Sequence, residues 1–272
     1  MDNNLVRKYE KLRDSLRRLE SVAVAFSAGV DSTLLLAVAS EVLGDRVIAV
    51  SVSADWVPDR ECREAAAFCE SRGIRQFCLK VTADEIEGFA QNPPDRCYLC
   101  KRALFTKILE TAGKQGIACV AEGSNVDDLG DYRPGLQAIA ELGVKSPLRE
   151  AGLTKREIRE LSREMGLPTA DKPSFACLAS RIPYGELITS EKLSMAEQGE
   201  QFLLDKGFSQ FRVRVHGTLA RIELLQQEMG RVMEAPLRSE LYDVMKRIGF
   251  SYVALDLKGY RTGSLNEALW KK

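Results

Sequence analysis

The chain has 272 residues, 45% of them hydrophobic, which is enough for one large domain or two smaller domains with a full core. Its 39 Lys and Arg residues balance 39 Asp and Glu residues, and this neutrality argues against a long nucleic acid as the main partner. No apolar run reaches the roughly 18 residues of a membrane helix, and the charged N-terminal stretch lacks the apolar segment of a signal peptide, so we expect a soluble, cytoplasmic protein.

The first part of the chain alternates short apolar runs with helical patterns. An amphipathic, basic helix is expected over 4–20 and a valine-rich strand over 22–26. Strands are predicted at 46–54, 74–81 and 117–121, and helices after residue 33 up to Gly44, at 58–72, at 101–114 and from Thr154 to Gly166. This alternation is typical of βαβ units, so the sequence predicts an α/β fold with a parallel, doubly wound sheet.

The pattern changes after Pro168. Residues 171–185 show neither a helix nor a strand period, and long irregular segments in compact proteins are often functional. We place a domain boundary at 187, giving domains 1–187 and 188–272. The second domain is predicted as small and α+β, with helices at 190–206 and 227–248 and strands at 211–216, 219–224 and 252–257.

A turn of small residues, Ser27-Ala28-Gly29-Val30-Asp31-Ser32-Thr33, follows the first strand. Such a turn directs backbone N–H groups and the positive end of a helix dipole at one point, which suits a phosphate. The alternative is an ordinary strand–turn–helix with a serine cap. Ser53 and the stretch Gly123–Asn125 follow other strands, so they are expected at the same edge of the sheet. Acidic residues 127 and 128 could hold Mg²⁺ there, or could cap a polar loop.

Three of the seven cysteines lie outside helix and strand patterns or at their edges. Cys97 and Cys100 form a Cys-x-x-Cys at a helix entry, and Cys177 lies in the irregular segment. The pair alone is compatible with half a zinc site, a redox pair or two ligands of an iron–sulfur cluster. The other four, Cys62, Cys69, Cys78 and Cys119, are interpreted as core residues.

The turn resembles the PP-loop of ATP pyrophosphatases, usually S-G-G-x-D-S, with Ala28 in place of the first glycine. Together with the stretch from Cys97 to Lys101, EGSNVDDLGDYRPG and PSFACLASRIPYGE, the chain resembles the LarE family of sulfur transferases over nearly its whole length. The resemblance implies a cytoplasmic enzyme that adenylates the carboxylates of pyridinium-3,5-biscarboxylic acid mononucleotide with ATP and Mg²⁺. Sulfur then replaces AMP and leaves thiocarboxylates.

The resemblance also implies roles for individual residues. ATP would be bound by Ser27, Ala28, Gly29, Val30, Asp31, Ser32, Thr33, Ser53, Gly123 and Asn125. Asp31, Lys101 and Cys177 would be catalytic, with Lys101 stabilising charge near the acyl centre. Ser180, Arg181, Arg212 and Arg214 would bind phosphate or carboxylate groups of the substrate, unless Arg212 and Arg214 simply line a solvated strand face.

Members of this family fall into two types. In one, a single cysteine at the position of Cys177 gives up its own sulfur. In the other, three cysteines hold a 4Fe–4S cluster, and the presence of Cys97 and Cys100 beside Cys177 matches this cluster type. The resemblance further implies a hexamer, and a sulfide or sulfur-donor protein as the sulfur source. The competing interpretations are a tRNA thiolase with the same loop, an amide-forming PP-loop enzyme and an ATP-sensing module with structural zinc.

Overall fold

A computed structural model describes residues 2–130, 134–173 and 176–267. Asp131, Tyr132 and Arg133 of the acidic motif, and Ser174 and Phe175 of the irregular segment, lie outside the described residues. The chain divides into two compact units. The first comprises Met1–Ile86 with Asp95–Ser174, and the second comprises Glu87–Pro94 with Phe175–Lys272.

The elements of the described part of the first unit are, in chain order, α1 (Asn3–Arg18), β1 (Val22–Ala25), α2 (Val30–Leu43), β2 (Val47–Ser53), α3 (Asp59–Ser71), β3 (Arg75–Lys80), α4 (Arg96–Lys114), β4 (Val120–Ala121), α5 (Pro134–Glu141), α6 (Pro147–Glu150) and α7 (Lys155–Glu164). The four strands form one parallel sheet in the order β3-β2-β1-β4. This arrangement confirms the predicted α/β fold, with each predicted strand and helix displaced by only a few residues, apart from α4, which begins earlier at Arg96.

Helices cover both faces of this sheet because the strands are apolar on both sides. Along β1, Val22 and Val24 belong to one buried cluster, together with residues of α1, α2, α3 and α7. Ala23 belongs to a second cluster with residues of α4 and α5. Alternating strand residues point to opposite faces, so the two clusters lie on the two sides of the sheet. Within the described residues, no helix is long and apolar enough to cross a membrane.

The second unit is the small α+β unit that the sequence predicts. Its elements are α8 (Ser190–Asp205), β5 (Phe211–His216), β6 (Leu219–Leu224), α9 (Met229–Met233), α10 (Leu237–Ile248) and β7 (Tyr252–Leu255). Strand β6 pairs antiparallel with β5 and parallel with β7. The prediction of one helix over 227–248 was wrong, because Pro236 separates α9 from α10. Proline has no N–H to donate and its ring disrupts a continuous helix.

The division between the units differs from the boundary expected at 187. Residues 176–188 belong to the second unit, and so does the distant segment 87–94. Asn92 joins these two segments: it is fully buried, and its Nδ2 donates to the carbonyls of Ile182 (3.2 Å) and Pro183 (2.7 Å). Ile188 N also donates to Ala90 O (2.9 Å). Contacts between segments so far apart in the chain leave no local sequence pattern.

A buried ion pair stabilises the second unit. The side chains of Arg181 and Glu200 are each 1% exposed, and Arg181 donates from Nε (2.6 Å) and Nη2 (2.8 Å) to the two carboxylate oxygens. Glu200 Oε1 also accepts from Val213 N (3.0 Å). Burial opposes ionisation of Glu200, but Arg181 outweighs it and lowers the pKa of this carboxyl. The pair therefore joins the irregular segment, α8 and β5.

Replacing Arg181 by Met should lower the free energy of unfolding of the second unit by about 3–5 kcal/mol, because Glu200 then keeps a buried charge without its counter-ion. Urea denaturation, with hydrogen exchange of the β5 amides, measures this loss. The control is Arg163→Met, which breaks the exposed pair with Asp171 and should cost less than about 1 kcal/mol. Equal, small losses in the two variants would contradict the structural role of the buried pair.

Candidate functional site

The turn after β1 has the geometry of an anion-binding loop. Gly29 is extended and caps α2, whose first residue is Val30. Ser32 closes the turn: its Oγ lies 3.1 Å from Ser27 Oγ, accepts from Ser27 N (3.3 Å) and donates to Gly29 O (3.2 Å). The first N–H groups of α2 have no partner within the helix, so they are available to an anion.

Ala28 takes the conformation that a glycine would prefer. Its φ is +52°, in the left-handed region, and it is 2% exposed. For a residue with a Cβ this conformation costs roughly 1–2 kcal/mol. The turn therefore has at Ala28 the left-handed backbone that glycine favours, although alanine stands at this position.

Gly123 brings the end of β4 against this loop. A Cβ at Gly123 would lie 2.9 Å from Ser32 N and 3.2 Å from Asp31 Cβ, so only glycine fits. The preceding Glu122 is buried, and its carboxylate accepts from Ser124 Oγ (2.7 Å) and from Ser146 Oγ (2.5 Å). The predicted meeting of the ends of β1 and β4 is thus present within the first unit.

Asp31 lies between two donors. Asn125 Nδ2 donates to its Oδ1 (3.3 Å), and the Lys155 ammonium forms an ion pair with its Oδ2. Asp31 and Asn125 are therefore adjacent, as expected for two residues of one site. The sequence-based prediction missed Lys155, because it assigned this residue only to the helix that begins at Thr154. A local signal existed, because a cation in the first turn of a helix opposes the helix dipole.

The acidic residues after β4 act as caps. Asp127 Oδ2 accepts from Lys155 N (2.7 Å), and Asp128 Oδ2 accepts from Asn125 N (2.9 Å). These bonds fit the polar-loop alternative better than a magnesium site. Asp31 is the other carboxylate at this edge of the sheet, and the Lys155 ammonium occupies one of its oxygens.

Lys172 is a second lysine that sequence analysis did not assign to the site. Its Nζ donates to the carbonyl of Ala28 (2.9 Å), inside the turn, and forms an ion pair with Glu64. The side chain of Lys172 is only 15% exposed. The contact joins residues far apart in the chain, so no pattern near Lys172 could have revealed it.

Two other predicted residues of the first unit lie near strand or helix ends. Ser53 is the last residue of β2 and is half-buried, with its carbonyl accepting from Val81 N (3.0 Å). Lys101 is half-buried on α4, and its aliphatic chain lies against Gly135, where a Cβ would be 2.6 Å from Lys101 Cδ. No described contact links either side chain to the turn, so their roles remain predictions.

The cysteines of interest are accessible. Cys97 is exposed and Cys100 half-buried in the first turns of α4, where a spacing of three places them on one helix face. Cys177 is exposed in the second unit, just before a short 3₁₀ helix (Leu178–Arg181). Among the described residues, no three His, Cys, Asp or Glu side chains are grouped as a metal site.

The remaining cysteines follow the core interpretation only in part. Cys69 is buried, and burial raises the pKa of its thiol to about 11, as expected for an inert core residue. Cys62 and Cys119 are half-buried. The core interpretation of Cys78 was wrong: it is exposed, because β3 is an edge strand of the sheet.

The predicted arginines are buried in the second unit. Arg214 donates from Nε (3.0 Å) and Nη2 (2.9 Å) to the buried Glu223, and from Nη1 to Ser180 O (2.6 Å). Arg212 and Arg214 are each 5% exposed, which rules out a solvated strand face. Arg181 and Arg214 are thus neutralised by Glu200 and Glu223, two partners that sequence analysis did not identify.

Arg212 has a different environment. Its guanidinium carbon lies 4.9 Å from the centroid of the Tyr260 ring, and Nη1 donates to Phe211 O (2.5 Å). Burial, together with the nearby charge of Arg181, lowers the pKa of Arg212 to about 10. The nearby Glu200 and Tyr260 oppose this shift, and a role of Arg212 in binding a phosphate or carboxylate remains a prediction.

Comparison with known proteins places these features in a family. No protein-family model matches the chain. The chain is 40% identical to an uncharacterized protein of Synechocystis, covering 97% of this chain and 98% of that protein. It is 31% identical over 159 residues to the argininosuccinate synthase of Haloarcula marismortui, covering 54% of this chain and 38% of that enzyme.

A third relative carries a specific name. The chain is 35% identical to the pyridinium-3,5-bisthiocarboxylic acid mononucleotide synthase of Lactiplantibacillus plantarum, covering 98% of this chain and 96% of that enzyme. This similarity spans both units, and with them the segments that carry the turn, the cysteines and the arginines described above. The chain therefore belongs to the LarE family of pyridinium-3,5-bisthiocarboxylic acid mononucleotide synthases.

Proposed function

We propose that this protein is an ATP-dependent sulfur transferase that converts the carboxylates of pyridinium-3,5-biscarboxylic acid mononucleotide to thiocarboxylates. Such a product belongs to the biosynthesis of a nickel-pincer nucleotide. The observation that carries the proposal is the loop from Ser27 to Thr33, built for phosphate at the start of α2, in a chain 35% identical to such a synthase along nearly its whole length.

The first step is activation of a carboxylate. A carboxylate oxygen attacks the α-phosphorus of ATP, and pyrophosphate leaves with the electron pair of the broken P–O bond. The Ser27 hydroxyl and the N–H groups at the start of α2 would donate to phosphate oxygens, and Ser32 would hold the turn in shape through its bond to Gly29 O. Mg²⁺, held by Asp31, would neutralise phosphate charge during this step.

The second step delivers sulfur. A sulfur nucleophile attacks the acyl carbon of the adenylate, and AMP leaves with the former carboxylate oxygen. Cys177 is an exposed thiol in the irregular segment, which supports its assignment to this step. Cys97 and Cys100 share one face of α4, so both thiols could bind one iron–sulfur cluster. A 4Fe–4S cluster, when bound, would supply a transferable sulfide, so that Cys177 keeps its own sulfur.

The second unit supplies candidate groups for the charged parts of the substrate. We assign Arg212 to a phosphate or carboxylate of the nucleotide, together with Ser180. Arg181 and Arg214 support them, since the donors of Arg181 that face Glu200 and those of Arg214 that face Glu223 are occupied. From the family resemblance we further propose a cytoplasmic homo-oligomer, with a hexamer as its state and sulfide or a donor protein as the sulfur source.

Gly123→Ala tests the nucleotide site. The added Cβ would press on the backbone of Ser32, so we expect a loss of about 1–3 kcal/mol in stability and roughly tenfold weaker ATP binding, or about 1.4 kcal/mol. Calorimetric titration with ATP and urea denaturation measure the two effects. Gly113→Ala is the control, because it lies in α4 with nothing within 4 Å of the new Cβ. Wild-type ATP affinity in Gly123→Ala would contradict the placement of ATP at this loop.

Cys177→Ser tests the separation of the two steps. The variant should still release pyrophosphate from ATP in the presence of the biscarboxylate substrate, but its thiocarboxylate formation should fall to background, because a thiolate that would hold the sulfide-donating cluster is lost. Cys78→Ser, which changes another exposed thiol, should leave both reactions unchanged. Anaerobic turnover by an iron- and sulfide-reconstituted sample should leave the wild-type chain mass intact.

Two outcomes would change this account. Sulfur transfer by Cys177→Ser at the wild-type rate would remove Cys177 from the reaction. A single loss of the mass of hydrogen sulfide from each wild-type chain, with one thiocarboxylate group formed per chain, would replace the cluster by the sacrificial cysteine mechanism.

A further inference from the structure

Two lysine ammonium groups lie at the start of α2, where positive charge is unfavourable. The Lys155 ammonium lies against Asp31 in the first turn of this helix, and the Lys172 ammonium donates to Ala28 O (2.9 Å), just before the helix begins. The N-terminus of a 14-residue helix already carries partial positive charge, so nearby cations are disfavoured there. Two lysines from separate segments at this point indicate a site for a strongly anionic group.

The carboxylates that now balance these lysines are weak or replaceable partners. Glu64 is 48% exposed, and an ion pair with so exposed a carboxylate is screened by water. Asp31 is the residue that would hold Mg²⁺ in the proposed reaction, so its contact with Lys155 competes with the metal. An incoming cation on Asp31 would release the Lys155 ammonium, while Lys172 stays fixed to the loop carbonyl.

A buried hydroxyl in the same turn of α2 also indicates a missing partner. Thr33 is fully buried, and its Oγ1 has no hydrogen-bond partner among the described residues. Buried polar atoms in folded proteins nearly always have such a partner. A phosphate oxygen, or a water ordered by one, would satisfy this hydroxyl.

We infer that Lys155 and Lys172 bind the pyrophosphate part of ATP, and that Lys155 exchanges Asp31 for a phosphate oxygen when the nucleotide and its metal bind. The two ammonium groups then neutralise the charge that develops on pyrophosphate as the bond to the α-phosphorus breaks. Lys172 also fixes the Ala28 carbonyl and so holds the loop in its left-handed shape. This inference rests on the proposed function. It assigns Lys155 and Lys172 to the part of the same site that binds the leaving group, pyrophosphate.

The test is calorimetric titration of the protein with inorganic pyrophosphate in the presence of Mg²⁺, so that the metal can take the place of Lys155 on Asp31. Lys155→Met and Lys172→Met should each weaken binding by about tenfold to a hundredfold, the loss of one charge-assisted hydrogen bond. Lys155→Arg should recover most of the affinity, because it keeps the charge. The control is Lys107→Met, which removes a lysine paired with Glu85 on the surface of the same unit and should bind as the wild type does.

Two further measurements separate binding from folding. The salt dependence of pyrophosphate affinity should become shallower in Lys155→Met and Lys172→Met, which a change in fold alone would not produce. Thermal unfolding of each variant identifies any that fails to fold, and Lys155→Arg tests the charge independently.

The outcomes are distinguishable. Wild-type pyrophosphate affinity in both methionine variants would overturn the inference, and so would equal weakening in Lys155→Met and Lys155→Arg. Binding of ATP without any binding of pyrophosphate by the wild type would also overturn it. If the wild-type protein bound neither ATP nor pyrophosphate, with or without Mg²⁺, the proposed function itself would fail.

Discussion

The unpaired N–H groups at the start of α2 are the constraint on which the candidate site depends. A helix that follows a buried strand this closely must satisfy those groups with side chains or with a ligand. Ser32 closes the turn, Ala28 accepts a left-handed conformation, and Gly123 leaves room for the neighbouring strand end. Each of these features keeps the helix start open toward one point, where a phosphate would complete the bonding.

The charged side chains of the two units differ in their burial and in their ion pairs. In the second unit, Arg181 and Arg214 are buried and bound by Glu200 and Glu223, so their charges belong to the scaffold. Removing a partner there is costly, because the remaining ion stays buried. In the first unit, Lys155 and Lys172 pair with carboxylates that are partly exposed. Those contacts can be exchanged for a ligand at small cost, which suits a site that binds and releases an anion during each turnover.

The predictable features of this protein were local in sequence. The apolar runs predicted the strands, and the small-residue turn predicted the loop at the start of α2, because spacing within one segment determines both. Lys172 escaped prediction because its contact with Ala28 depends on tertiary structure, and Glu200 escaped for the same reason. The break between α9 and α10 did have a local signal, because Pro236 cannot continue a helix. The helical spacing of the apolar residues on both sides of Pro236 led to the prediction of one continuous helix. The exposure of Cys78 could not be predicted from the strand pattern, because the pattern does not show that β3 lies at the edge of the sheet, where residues are accessible.

The central claim is that ATP activates a carboxylate of the substrate by transferring AMP to its oxygen. The most direct measurement uses substrate labelled with oxygen-18 in both carboxylates, with ATP, Mg²⁺ and the reconstituted protein under anaerobic conditions. The account predicts AMP that carries one labelled oxygen for each thiocarboxylate formed, together with unlabelled pyrophosphate. Unlabelled AMP, or ADP and phosphate as the products, would contradict adenylation and with it the role assigned to the loop from Ser27 to Thr33.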